Sequence, residues 1–156
     1  MSVFLQGYQL RELLFGTPVN KAAQVLPSNT TGGLYTVSGG AVLVTSLLGH
    51  VSTACGTAVT TLALGFTPLT GTAENSGIAT ATAVTSLEKG TWVAPQPSSE
   101  AAGALVSGGH AGNAVFPPSP FVVAAGTITA TTNNTNLGAF DWYLNYVPLD
   151  TGASVS

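Results

Sequence analysis

The sequence predicts an all-β protein: a single β-sandwich or jelly-roll-like domain over residues 30–156, preceded by an N-terminal arm over residues 1–29. Three observations carry this. Residues 140–146 alternate large apolar with polar side chains, the period of a half-buried strand. Several short runs rich in Val, Thr, Leu and Ala recur at intervals of about 8–12 residues between glycine-marked turns. The chain of 156 residues also suits one domain with a sizeable core and is short for two.

The alternating stretch is the anchor. Phe140, Trp142, Leu144 and Tyr146 fall on one face, and Asp141, Tyr143 and Asn145 on the other. Burial of the four large side chains is worth about 1.5–3 kcal/mol each before conformational entropy is counted. Pro148 lacks a backbone donor and ends the ladder.

Taken in order, the arm holds two of the three basic residues, Arg11 and Lys21. Residues 9–15 (QLRELLF) have Leu10, Leu13 and Leu14 on one face at helical spacing, and Gly16-Thr17-Pro18 stops the helix. So short an apolar face must lie on the body, a neighbouring copy or a partner. Leu10, Leu13, Leu14 and Phe15 are the candidate contact residues; a simple capping helix is the structural alternative. Residues 28–33 (SNTTGG) form a turn. Strands are expected at 34–37 and 41–48, split by Ser38-Gly39-Gly40, with β character continuing over 50–54. The next strand is 58–64, followed by a loop over 66–77 that contains Pro68 and Gly71. Residues 78–86 (IATATAVTS) alternate small apolar with hydroxyl side chains. Residues 87–90 turn the chain, and Trp92-Val93 opens a strand cut by Pro95 and Pro97. Residues 95–120 are irregular, with a short strand at 103–106; a loop this long is usually functional or covered. Strands at 121–124 and 127–132 precede the anchor, and residues 151–156 form a small-residue tail.

Composition narrows the function. Charged residues make up 6% of the chain, against about a quarter in an ordinary soluble domain. Thr, Ser, Asn, Ala and Gly take their place. A surface so poor in charge is suited to being covered by copies of itself or by a larger assembly. Arg11, Lys21 and Lys89 are too few and too scattered to neutralise phosphates, so nucleic acid is excluded as a partner. An anionic membrane surface is excluded on the same ground. Mean hydropathy is positive, yet Pro27 and repeated glycines break every apolar run before it reaches the roughly 20 residues of a spanning helix. Arg11 and Glu12 interrupt what would be the apolar region of a secretion signal.

Reactive constellations are missing. His50, His110, Asp141 and Asp150 provide the letters of a hydrolase triad, but no Gly-x-Ser-x-Gly elbow accompanies them. The six acids show no pairing signature for glycoside hydrolysis. One cysteine and two distant histidines lack metal-ligand spacing, and the glycine pairs lack the lysine of a phosphate loop. Cys55 reads as a small buried hydrophobe. No catalytic residue, cofactor or metal is expected.

Two stretches, Gly33-Leu34-Tyr35-Thr36-Val37-Ser38-Gly39-Gly40-Ala41-Val42 with its continuation to Gly49, and Trp142-Tyr143-Leu144-Asn145-Tyr146-Val147-Pro148-Leu149-Asp150-Thr151-Gly152-Ala153 preceded by Ala125-Gly126-Thr127-Ile128, resemble the opening and ending of small accessory virion proteins of tailed bacteriophages. The resemblance spans residues 33–153 and is dense only at its ends. It implies a non-catalytic β-sandwich that sits on the outer capsid surface as a decoration (cement) protein. Its partners would be the major capsid protein and itself, as a homotrimer. A tail, head-fibre or spike component would share these features. A carbohydrate-binding module is the rival of a different class, and it would need exposed aromatics such as Trp92 or Tyr143.

Overall fold

The computed structural model describes residues 6–96, 103–107, 111, 119–135 and 137–156. Its elements are α1 (Gly7–Phe15), β1 (Thr17–Val25), β2 (Thr31–Ser38), β3 (Val42–Thr53), β4 (Thr61–Pro68) and β5 (Glu74–Ala83). They are followed by β6 (Trp92–Pro95), β7 (Gly103–Ser107), β8 (Phe121–Val123), β9 (Gly126–Thr132), β10 (Ala139–Pro148) and β11 (Ser154–Val155). The protein is all-β and sandwich-like, with two antiparallel sheets and one short helix among the described residues.

One sheet runs β1-β10-β3, with β8 and β6 pairing different stretches of β3 and β7 pairing β6. The other runs β11-β2-β9-β4-β5. The short β7 also pairs in parallel with β5, through Ala79 and Thr80, which joins the two sheets. Both sheets contribute to one core: Phe140, Trp142, Leu144, Val44, Leu47 and Val51 from the first, and Leu34, Tyr35, Leu62, Leu64 and Ile128 from the second.

β10 explains why the first sheet holds together. Phe140, Trp142, Leu144 and Tyr146 are buried, and Asp141, Tyr143 and Asn145 between them are only partly so. The Phe140 and Trp142 rings stack at 5.6 Å. Opposite Trp142 stands Gly49, where an added Cβ would come within 2.7 Å of Val93 Cγ2 and 2.9 Å of the indole. The missing side chain is therefore the space the indole occupies. β3 keeps its inward parity despite a register shift: Val42 and Val44 point in, then Leu47, Gly49 and Val51. Thr45 is the extra residue of that β-bulge. Its hydroxyl donates to the Phe15 carbonyl at 2.6 Å.

Four sequence expectations need correction. Residues 17–25 of the arm are a strand, hydrogen-bonded along β10 from Thr17↔Tyr146 to Val25↔Ala139, and Leu26 is buried. Packing against β10 overrides a sequence that shows no apolar alternation. The loop expected at 66–77 is shorter, because Phe66, Thr67 and Pro68 still pair with β9 and β5 begins at Glu74. Pro68 is tolerated as the strand's last residue. The strand expected from residue 58 begins at Thr61. The β character expected on both sides of Gly49 belongs to one strand, β3, which runs through it. The tail carries β11, whose Val155 pairs with Val37 while Ala153 fills the adjoining core. His110, Glu100 and most of the irregular segment at 95–120 lie outside the described residues.

Residues 33–49 and 142–153 meet in space. Gly39 (φ +74°) and Gly40 (φ +140°) form the β2–β3 turn, and an added Cβ on them would strike the Gly152 carbonyl and Asp150 respectively. The Ala41 amide donates to Asp150 Oδ2 at 2.7 Å, while the Ala41 carbonyl accepts from Leu149. Both motifs thus close one corner of the sandwich. Replacing Asp150 with alanine strips the Ala41 amide of its acceptor. A loss of about 1–2 kcal/mol is expected in denaturant unfolding, and the Asp150→Asn variant should recover part of it.

Candidate functional site

Helix α1 is capped at its start and joined to the sheet at its end, and none of its residues is buried. Gln6 and Gln9 form a capping box at its start, with the Gln6 amide donating to Gln9 Oε1 at 2.8 Å. At its end Gly16 (φ +87°) lies flat against β10, and a Cβ there would sit 2.4 Å from the Tyr146 carbonyl oxygen. The Gly16 amide donates to the Glu12 carbonyl at 2.9 Å, and Thr45 takes the Phe15 carbonyl. No residue of the helix is buried. Leu13 is 73% exposed and Leu14 72%, with Leu10, Phe15 and Tyr8 also in solvent. Of the four candidate contact residues, Leu10, Leu13 and Leu14 share one face. Phe15 joins Tyr8, Arg11 and Glu12 on the side turned toward the sheet. There they wall a hollow of about 310 Å³ whose floor includes Pro18, Asn20 and Asn145. The other four candidate residues, Phe140, Trp142, Leu144 and Tyr146, lie in the core and face away from this surface.

Beyond the hollow, the outer face of the first sheet continues as an aromatic cluster. His50 on β3 pairs with Trp92 on β6 and with Asp141 on β10, so all three project outward side by side. The His50 and Trp92 rings lie 4.7 Å apart and the Trp92 and Tyr143 rings 5.6 Å apart. Asp141 is the electrostatic centre of this face. Its Oδ1 accepts the Ala23 amide at 2.7 Å, and its Oδ2 lies 3.6 Å from His50 Nδ1. The Ala23 hydrogen bond holds the carboxyl below the usual carboxylate range; partial desolvation opposes this, and His50 and Ser52 add to the lowering. Ala23 has φ +49° and sits in the β1 bulge between Lys21 and Gln24, opposite Asp141. The carboxylate therefore ties down a strained turn of the edge strand.

This linkage has a defined sign. A carboxyl lowered in the folded state stabilises above its unfolded pKa of about 3.9, and loses that contribution as pH falls through the lower folded value. Unfolding midpoints of the native chain and of Asp141→Asn should differ most at neutral pH. They should converge as pH drops below about 4. A gap that stays constant down to pH 3 would refute the assignment.

Cys55 is buried, and burial pushes its thiol pKa up. Among the described residues there is no group of three His, Cys, Asp or Glu side chains able to hold a metal ion, and no helix is long and apolar enough to cross a membrane. The His50–Asp141 pair has Trp92 and Tyr143 around it. The sequence shows the polar face of β10 but not its junction with His50 and Trp92, since strand pairing alone brings those positions together. The chain matches no family model, no curated protein and no solved structure.

Proposed function

We propose that the chain is a structural virion protein of the capsid-decoration type, which binds the outer capsid surface and stabilises the assembled shell without catalysis. The observation that carries the reading is α1: a helix joined at its C-terminal end to the sandwich, which presents Leu10, Leu13 and Leu14 to solvent. Exposed apolar side chains on an anchored element favour burial against a partner, at roughly 1–2 kcal/mol per leucine. A protein that binds only the assembled state stabilises that state by mass action, and many copies multiply a modest affinity. The surface poor in charge, and the two motifs that resemble accessory virion proteins, support the same reading. The partners are the major capsid protein and further copies of the chain, as a homotrimer.

The test is capsid occupancy of a Leu13→Ser/Leu14→Ser variant. Neither leucine supports the fold, so its unfolding midpoint should match the native protein while occupancy on particles falls at least tenfold. Unchanged occupancy would overturn the reading. Sedimentation of the isolated protein should give the mass of three chains.

A further inference from the structure

We propose that the outer face of the first sheet is a binding strip for a neutral oligosaccharide. This goes beyond capsid attachment and does not depend on it. The strip begins in the hollow under α1, at Asn145 and Asn20, and passes over Tyr143 to Trp92 and His50. Asn145, Tyr143 and Asp141 occupy alternate positions on one strand, so the strip spans about 14 Å along β10. That is the reach of a short oligosaccharide.

The chemistry selects the ligand class. Tyr143 and Trp92 lie on the outer face, while Trp142 and Phe140 fill the core from the same sheet. Clustered, partly exposed rings offer flat apolar surface of the kind that receives the C–H face of a pyranose. The Asn20 amide and the Asn145 amide, whose Nδ2 also donates to Ser46 Oγ at 3.0 Å, flank them and match sugar hydroxyls as donors and acceptors. The few placed polar groups beside aromatic surface are the usual makeup of a ligand site. Anionic ligands are disfavoured: Lys21 points to the other face of its strand, over the Tyr35 ring, the Asp141 carboxylate lies on the strip itself, and Arg11 in the wall of the hollow stands beside Glu12. A single-stranded nucleic acid would use such rings but needs a basic track that is absent from this sequence. A peptide strand would need a free ladder, and this is the face of a sheet.

The test uses the full chain on an array of neutral and acidic oligosaccharides, followed by titration of the best binder with tryptophan fluorescence. Trp92 would report on the strip while Trp142 stays buried. A neutral oligosaccharide should bind and change the fluorescence. Trp92→Ala should weaken binding about tenfold or more, with Trp92→Phe intermediate. Asn20 is exposed, so Asn20→Ala keeps the fold intact and should also weaken binding. The Leu13→Ser/Leu14→Ser variant should bind the sugar normally, which separates this proposal from capsid attachment. The proposal fails if no neutral oligosaccharide binds at millimolar concentration, if acidic glycans bind in preference, or if neither Trp92→Ala nor Asn20→Ala changes affinity. It also fails if Trp92→Ala removes the protein from capsids while no glycan binds, which would make the strip part of the capsid contact.

Discussion

Replacing Trp142 with alanine is expected to cost about 3–5 kcal/mol, a large share of the roughly 5–15 kcal/mol that holds a domain folded. The indole is 1% exposed, stacks on Phe140 and fills the space left by Gly49. Its removal leaves a cavity walled by β3, β6 and β10, whose pairing fixes the backbone around it. The complementary change, Gly49→Ala, places a methyl group against Val93 and the indole and should cost about 1–3 kcal/mol through overpacking. The two effects share one volume and should not add. In the Trp142→Ala background the methyl meets only Val93 and the emptied space, so the double variant should be less destabilised than the sum of the singles. Urea unfolding of the four proteins gives the coupling energy directly. Strict additivity would show that Gly49 and Trp142 do not constrain one another.

The same pair shows why part of this fold is legible in the sequence. β10 alternates because one of its faces enters the core and the other faces water, so its parity follows from chemistry alone. The all-β class follows likewise from short runs punctuated by glycine. Edge strands obey a weaker rule. β1, with the sequence TPVNKAAQV, turns only Val19, Lys21 and Gln24 partly inward, and its bulge at residues 22–23 breaks the period. Nothing in those nine residues requires a strand; the free edge of β10 does. β11 is two residues long and exists because Val37 needs a cover. The outer-face cluster was legible only in pieces. Tyr143 and Asp141 belong to a visible polar face, whereas their meeting with His50 and Trp92 depends on which strands become neighbours. Local sequence does not encode that choice. The leucines of α1 were readable as an amphipathic face, but their exposure was not, because periodicity gives the direction of a face and not what lies opposite.

Removal of residues 1–15 and removal of residues 1–26 should give very different proteins, although the second deletion is only eleven residues longer. The shorter truncation takes away α1, none of whose residues is buried, together with the Phe15 carbonyl that Thr45 contacts. Stability should change by no more than about 0.5–1 kcal/mol. The longer truncation takes β1 as well. It bares the hydrogen-bonding edge of β10, the strand that carries Trp142, and removes the Val19 carbonyl from the buried Tyr35 hydroxyl. It also empties the site of Leu26, which is 5% exposed and whose amide donates to the Gly138 carbonyl. Loss of one buried leucine alone costs about 2–5 kcal/mol. An uncovered edge strand adds a template for intermolecular pairing, whereas native β1 is blunted by Pro18, Lys21 and its bulge. The longer truncation should therefore aggregate or lose at least about 3 kcal/mol in urea unfolding. Equal stability of the two truncations would show that β1 is an appendage and not part of the sandwich. The distinction decides how docking is measured. Loss of capsid occupancy after removal of residues 1–26 would mix unfolding with lost contact, whereas the same loss after removal of residues 1–15 would isolate the helix as the contacting element.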